Sequence, residues 1–243
     1  MLFEKGVSWW DVFAASDIGS ERNLIANRFV AQGSEILDVG CGRGFFSFAC
    51  AKRASHVIGL DSMDGGGRVG WWDEFKATSR LLGVSDQVAG VKASATAIPS
   101  ASFRFDVVAS VHSIRNFGDI SEIRAFFGQA SKVLKKEGRL VVVESDLEDS
   151  ECRAYRAFYS MRAKLGWELK LPSTQDMVGW LHAEGFSKVS RESIEADLKY
   201  APVRFPFDSL SMKAMKEDYE IAVKLLQDDG ERHPAIFVLI ATR

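Results

Sequence analysis

Residues 35–44 have the sequence EILDVGCGRG, and this stretch decides the fold class. Its first five residues form a short, mainly apolar run that predicts a buried strand. The glycines that follow, Gly40, Gly42 and Gly44, have the spacing GxGxG. Glycine at a strand-to-helix turn lets the backbone bend sharply and approach a ligand without a Cβ in the way. Because tight turns also use glycine for structure alone, the turn by itself does not establish a ligand site.

Outward from this turn, predicted strands and helices alternate along the chain. Each strand is a continuous apolar run, which is typical of a parallel sheet covered by helices on both faces, so the fold class is α/β. The predicted strands are residues 35–40, 56–61, 87–93, 105–111, 139–145, 186–194 and 235–243, and the predicted helices are 20–31, 44–53, 71–82, 120–134 and 173–184.

The length of 243 residues suits one large α/β domain. We expect cap helices over residues 1–33 and the α/β domain over residues 34–243. The alternation stops after Ser145, where a polar and aromatic stretch predicts a helical lid at about 147–171. Residues 199–207 predict an irregular connection that closes over the site.

The composition narrows the possible partners and compartments. The formal net charge of −2 gives no overall positive field for nucleic acid or an anionic membrane. The three cysteines, Cys41, Cys50 and Cys152, lack the spacing of a metal site or a disulfide framework, so we expect a cytoplasmic protein without a metal. No apolar run has the length of a membrane span, and we expect a monomer or homodimer.

Two residues add to the case for a ligand at the glycine turn. Asp61 ends the second strand, where a carboxylate can accept hydrogen bonds from both hydroxyls of a ribose, although it could equally cap a helix or end a strand in solvent. Phe45 stands where a dinucleotide-binding turn needs a small residue beside the pyrophosphate. The pattern therefore favours a ligand with one nucleoside and no diphosphate.

Several segments in this part of the chain together resemble the motifs of one enzyme family. ILDVGCGRGFFSF, IGLD, FDVVAS and the following HSIRNF are similar, in order and spacing, to the first four motifs of the class I S-adenosylmethionine (SAM)-dependent methyltransferases. The resemblance covers residues 35–145. It implies a Rossmann-like three-layer sandwich whose mostly parallel, seven-stranded sheet has an antiparallel last strand. It also implies SAM as the cofactor, S-adenosylhomocysteine as its product and a small-molecule methyl acceptor.

The resemblance also implies a set of cofactor-binding residues. Asp38, Gly40 and Gly42 would line the methionine end of SAM, Asp61 would hold the ribose and Met63 would pack on the adenine. Where the family often has an acidic residue followed by alanine, this chain has Ser94-Ala95, a neutral pair. The full predicted set is Asp38, Gly40, Cys41, Gly42, Gly44, Asp61, Ser62, Met63, Ser94, Ala95 and Ser110.

Two residues are candidates for a catalytic base. Methyl transfer from a sulfonium depends mainly on positioning the acceptor, and a base is needed only if the acceptor holds a proton. His112, with an ordinary pKa near ~6.5, is a candidate general base or a loop histidine with no proton to move. Glu144 ends an apolar strand, so its pKa is expected to be raised and the carboxylate is a candidate base, unless it pairs with an arginine.

The substrate side is predicted from aromatic and polar residues near the strand ends and in the cap and lid. Arg115-Asn116 resembles a pair found in quinone-biosynthesis C-methyltransferases. Aromatic residues at helical spacing more often form a core than a ligand site, but their place in the chain favours an apolar or aromatic acceptor. The predicted substrate set is Trp9, Trp10, His112, Arg115, Asn116, Tyr155 and Tyr159.

The segment 64–72, DGGGRVGWW, is longer than the usual link after the ribose carboxylate. It is either a surface loop in which Trp71 and Trp72 anchor a helix, or a segment in which Arg68 or a tryptophan folds over the cofactor or a neighbouring subunit.

Three other functions compete with a small-molecule methyltransferase. A nicotinamide-dependent oxidoreductase is disfavoured by the GxGxG spacing. A SAM-binding protein without catalysis is suggested by the neutral Ser94. A nucleic-acid methyltransferase is disfavoured by the near-neutral charge and by HSIRNF standing in place of an Asn/Asp-Pro-Pro-Tyr/Phe tetrad.

Overall fold

The structure is a computed structural model that describes residues 17–63, 70–99, 104–146, 153–164, 171–194, 216–228 and 235–243. The strands are β1 (Glu35–Val39), β2 (His56–Asp61), β3 (Val88–Lys92), β4 (Phe105–Val111), β5 (Leu134–Ser145), β6 (Lys188–Ile194) and β7 (Ile236–Thr242). The helices are α1 (Asp17–Phe29), α2 (Phe45–Cys50), α3 (Trp71–Leu81), α4 (Ile120–Val133), α5 (Arg153–Lys164), α6 (Thr174–Ala183) and α7 (Lys216–Asp228). A 3-10 turn, Ile114–Asn116, follows β4.

The strands form one seven-stranded sheet in the order β3-β2-β1-β4-β5-β7-β6. Strands β1 to β5 pair in parallel, and the last strands are antiparallel, as the family resemblance implied. Asp38 on β1 lies opposite Gly59 on β2 and Ala109 on β4. Because parallel strands end at the same edge of a sheet, the segments after β1, β2, β4 and β5 meet there.

The chain divides into two compact units. The larger comprises Glu21–Glu144, Lys170–Ser193 and Phe237–Arg243, and it contains the sheet with α2, α3, α4 and α6. Its core includes the apolar faces of β1, β4 and β5 packed against α4 and α6, with Phe126, Phe127 and Leu181 fully buried. The smaller comprises Met1–Ser20, Ser145–Leu169 and Ile194–Ile236. Within it α5 packs against α7, and Lys164 Nζ lies 2.8 Å from an oxygen of Asp218.

Several predicted boundaries were wrong. Strand β5 begins at Leu134 and not at residue 139, because Leu134 already pairs with Phe105 before the register shifts. Lys135 in the added stretch lies 2.9 Å from Asp106. Helix α2 ends at Cys50, three residues early, and α7 was not predicted at all. The described part of the long helix predicted after Ser145 is α5, and residues 199–207 lie outside the described residues.

Candidate active site

The turn after β1 fits closely against its surroundings. Gly40, Gly42 and Gly44 all have positive φ, between 54° and 88°, a region that L-residues with a Cβ seldom adopt. A Cβ on Gly40 would collide with the side chain of Ser113, and one on Gly44 would lie 2.6 Å from the ring of Phe75. The glycine spacing therefore serves both backbone conformation and close packing.

Asp61 is held rigidly at the end of β2. Its Oδ2 accepts a hydrogen bond from the amide of Gly42 at 3.0 Å, and its Oδ1 accepts one from the amide of Met63 at 2.8 Å. Each carboxylate oxygen can accept more than one hydrogen bond. Asp61 is thus connected to the glycine turn by a direct hydrogen bond, which explains why the two features occur together.

A pocket of about 280 Å³ opens between these segments. This is just below the size of typical small-molecule sites, roughly 300–1,000 Å³. The predicted residues that line it are Gly40, Asp61, Ser62, Ser94, Ala95 and Asn116. Residues that the sequence did not single out also line it, namely Leu60, Ala93, Thr96, Ser113, Phe117, Gly118 and Glu122. Most of these follow β3 or β4, so the sheet order brings them to the glycine turn, and Ser113 and Phe117 belong to the HSIRNF segment of the family resemblance.

The remaining predicted cofactor residues lie close to the turn but do not line this pocket. Asp38 is buried on β1 and accepts a 2.6 Å hydrogen bond from Ser47 Oγ on α2. Burial raises the pKa of Asp38 to about 7, and the bond from Ser47 offsets only part of that effect. Burial also raises the pKa of the Cys41 thiol. Ser110 is fully buried, and its hydroxyl has no hydrogen-bond partner among the described residues.

The Ser94-Ala95 pair follows β3 and lines the pocket wall. The hydroxyl of Ser94 accepts a 3.1 Å hydrogen bond from the amide of Thr96 and is 2.8 Å from the Thr96 hydroxyl. A neutral side chain therefore occupies the position of the family's acidic residue.

Trp71 and Trp72 begin α3 and pack differently. The ring of Trp71 faces Gly42, where an added Cβ would lie 3.3 Å from it, and the guanidinium of Arg43 stacks over the ring at 4.6 Å. Trp72 covers Gly90 on β3 and contacts Phe75 edge to face. Trp72 therefore packs α3 against the sheet, whereas Trp71 packs against the glycine turn. Arg68 lies outside the described residues.

Both candidate bases belong to one polar cluster beside the pocket. Nε2 of His112 lies 2.5 Å from Oε1 of Glu21, and Nδ1 of His112 is hydrogen-bonded to Nη2 of Arg115. Arg115 Nε lies 2.7 Å from Oε2 of Glu144, an ion pair in which the N–H does not point directly at the oxygen. We define the polar cluster as Glu21, Arg22, His112, Arg115 and Glu144.

The electrostatics of the cluster determine which protons can move. Burial lowers the pKa of His112 to about 3, against the opposing effect of Glu21, so the imidazole is neutral at pH 7. Burial also raises the pKa of Glu144, although Arg115 counteracts it. Both ring nitrogens of His112 are engaged, and Glu144 has the arginine partner that the sequence analysis left open. The arrangement therefore disfavours both residues as a general base.

Sequence reasoning missed Glu21 and Arg22. Glu21 is 1% exposed although it is ionisable. One signal was present, because Glu21, Ile25 and Phe29 recur every four residues and so share the buried face of α1.

The predicted substrate residues are only partly described. Arg115 belongs to the polar cluster, and Asn116 lines the pocket and donates to the His112 carbonyl. Tyr155 and Tyr159 lie on α5, but their side chains are outside the description, as are Trp9 and Trp10 entirely.

Two features of the described residues bear on other functions. No helix among the described residues has the length and apolar character to cross a bilayer. In the same described ranges, no three His, Cys, Asp or Glu side chains gather as metal ligands would.

A larger cavity of about 430 Å³ lies between α3 and β3 and shares no lining residue with the pocket at Gly40.

Comparison with known proteins agrees with the site. Residues 37–142 match the family model described as a methyltransferase domain. The chain is 27% identical over 190 residues to the demethylmenaquinone methyltransferase of Clavibacter sepedonicus, covering 68% of this chain and 71% of that protein. It is 28% identical over 179 residues to the ubiquinone/menaquinone biosynthesis C-methyltransferase of Allorhizobium ampelinum, covering 65% and 66% of the two chains, so it spans slightly less than two thirds of that relative.

Among solved structures, the cyclase SpnF superposes with a TM-score of 0.68 at 18% identity, covering all of this chain and 85% of that one. This likeness supports the fold alone. The family match over residues 37–142 and the two named relatives support a class I SAM-dependent methyltransferase.

Proposed function

We propose that this methyltransferase binds SAM in the pocket at Gly40 and Asp61 and transfers its methyl group to an apolar or aromatic small molecule. The observation that carries the cofactor assignment is the Asp61 carboxylate, which lines the pocket and is fixed by the amides of Gly42 and Met63. A fixed, charged acceptor beside a glycine turn suits a ribose, because its two hydroxyls would each meet an oxygen that does not need to reorganise.

The other pocket residues are compatible with the nucleoside part of SAM. Ser62, Ala95 and Phe117 give small and aromatic walls around the side where the adenine is expected, and Ser94 offers a neutral hydroxyl. When bound, SAM supplies an electrophilic methyl group on a sulfonium. Asp38 is buried on β1 next to the turn, and because burial raises its pKa to about 7, the cationic end of bound SAM would favour its ionised form.

The acceptor assignment rests on the polar cluster and on the relatives. Because His112 and Glu144 are engaged, the protein offers neither of these residues as a base. An acceptor that is already nucleophilic at neutral pH needs no such base. The carbon of an electron-rich hydroquinone ring is nucleophilic without prior loss of a ring proton: it attacks the methyl group as the sulfur–methyl bond breaks, and the ring proton then leaves to water. The two relatives are named for demethylmenaquinone and for ubiquinone and menaquinone biosynthesis. We therefore propose carbon methylation of a hydroquinone-like ring.

The cofactor assignment is tested by ligand titration. Isothermal calorimetry should detect binding of S-adenosylhomocysteine and none of NAD. In a thermal-shift assay, S-adenosylhomocysteine should raise the unfolding temperature and NAD should not. Stabilisation by NAD alone would overturn the assignment and would favour an oxidoreductase.

The acceptor assignment is tested by transfer from methyl-labelled SAM to a panel of reduced benzoquinones and naphthoquinones with an unsubstituted ring carbon. The expected product carries the label on carbon, as seen by NMR. Label on oxygen would contradict carbon methylation. Tight binding of S-adenosylhomocysteine with no transfer to this panel or to a cell extract would favour the SAM-binding protein without catalysis.

A further inference from the structure

Glu21 is an ionisable side chain in an unusual place. It lies on α1 and is 1% exposed, and buried glutamates are rare unless they are paired. Its Oε2 is 2.5 Å from Nη1 of Arg22, and its Oε1 is 2.5 Å from Nε2 of His112. Glu21 and His112 are 91 residues apart in the chain, so this contact joins α1 to the segment that follows β4.

The hydrogen-bond partners define the protonation of His112. A guanidinium can only donate, so Nδ1 of His112 must accept from Arg115. The proton of the neutral ring then lies on Nε2, which donates to Oε1 of Glu21. The charged groups around the ring are Glu21 and Arg22 from α1, Arg115 from the 3-10 turn and Glu144 from β5. Glu21 is thus the acceptor that matches the tautomer Arg115 imposes.

His112 is also one of three non-glycine residues with positive φ in the described part of the chain. Its φ is 52°, in the region that favours glycine, so contacts must hold it there. Its amide donates to the carbonyl of Val143 at 2.8 Å, and its carbonyl accepts from Asn116 Nδ2 at 3.2 Å. The hydrogen bond between the His112 side chain and Glu21 adds a further constraint on His112, supplied by α1.

The segment that starts at His112 forms one wall of the pocket. Ser113, Asn116, Phe117 and Gly118 line it, and Ser113 lies against Gly40 with no room for a Cβ between them. A shift of His112 would therefore move Ser113 relative to the glycine turn.

We propose that Glu21 is a positioning residue of the cofactor pocket, which fixes the ring of His112 and through it the wall formed by Ser113 to Gly118. This proposal rests on the proposed function, because it assumes that this pocket binds SAM. In this proposal Glu21 on α1 acts on the cofactor pocket only through His112 and does not contact the ligand.

The first test compares three variants by calorimetry with S-adenosylhomocysteine. Glu21→Leu removes the acceptor, and we expect affinity to fall at least tenfold. Glu21→Gln keeps an oxygen that can accept from Nε2, and we expect affinity within about threefold of wild type. Arg28→Gln is the matched control, because Arg28 lies on the same helix in an exposed ion pair with Glu192 and should bind normally.

The outcomes separate the proposals. If wild-type protein does not bind S-adenosylhomocysteine, the proposed function fails. If wild type binds and Glu21→Leu binds equally well, only the positioning role fails. Equal losses in Glu21→Gln and Glu21→Leu would also overturn it, because charge and not the hydrogen bond would then matter. Should Glu21→Leu not fold, Glu21→Asp replaces it, with an expected loss of about tenfold, and unchanged affinity overturns the proposal.

The second test observes the ring itself in the wild-type protein without ligand. Nitrogen-15 NMR at pH 7 should show His112 as the neutral tautomer with its proton on Nε2, and Glu21→Gln should retain that signal. A tautomer protonated on Nδ1, or a doubly protonated ring, would overturn the proposal whatever the binding data show.

Discussion

The side chain of Ser113 occupies the space that a Cβ on Gly40 would need, so the turn after β1 and the segment after β4 fit together without clearance. The two residues lie 73 positions apart but meet because β1 and β4 are adjacent parallel strands. Gly40 also has a φ of 74°. This contact couples the two walls of the pocket.

Gly40→Ala is therefore expected to lower the free energy of unfolding more than the same substitution at a glycine with open surroundings. Positive φ costs an alanine roughly 1–2 kcal/mol, and the overlap with Ser113 adds roughly 1–3 kcal/mol. Gly83→Ala is the control, since Gly83 has a φ of 66° and nothing within 4 Å of its added Cβ. The measurement is urea unfolding of both variants. If Ser113→Gly does not recover part of the loss in Gly40→Ala, the overlap is not its cause.

Asp61→Ala should weaken binding of S-adenosylhomocysteine by about 1–3 kcal/mol, the usual cost of leaving hydrogen-bonding groups without a charged partner. Part of this loss would come from the amides of Gly42 and Met63, which Asp61 now holds. Asp86→Ala, at an exposed position in the turn before β3, is the control. Unchanged affinity of Asp61→Ala by calorimetry would remove Asp61 from the site.

Asp38 should make the stability of the ligand-free protein fall as pH rises. Its pKa is raised from 3.8 to about 7, so the folded state keeps a proton that the unfolded chain releases between these values. The contribution is present below about pH 4 and is lost as pH rises through about 7, by at most about 4 kcal/mol. Asn imitates the protonated side chain and can still accept from Ser47.

The measurement is the difference in unfolding free energy between Asp38→Asn and wild type at pH 5, 6, 7 and 8. We expect the unfolding free energy of the variant to rise relative to that of wild type up to about pH 7. Above that pH the difference should stay constant. A difference that stays constant over this range would show that Asp38 is ionised throughout. Taking the difference cancels the opposite contribution of His112, whose lowered pKa favours the folded state as pH rises.

The sequence predicted the local features of the site better than its three-dimensional arrangement. The glycine turn and Asp61 were recognisable because each depends on a strand end and a few neighbours in the chain. The pairing of Glu21 with His112 was not, because it requires the place of α1 beside the sheet, which no spacing rule supplies. Likewise Leu134 begins β5 through its pairing with Phe105, although the charged residues 135–137 locally resemble a loop.

The ion pair of Arg115 and Glu144 gives the last prediction. Glu144 is fully buried and Arg115 is 5% exposed, so removing one charge leaves the other without compensation in a poorly solvated place. Glu144→Gln should destabilise the protein by roughly 3–5 kcal/mol.

The double variant Arg115→Met/Glu144→Gln removes both charges and should be more stable than the sum of the two single losses predicts. Urea unfolding of the four proteins gives the coupling energy. Additive losses would mean that the two residues act independently. Glu144 would then regain its standing as a candidate base, because a carboxylate that does not depend on Arg115 is available to accept a proton from the acceptor.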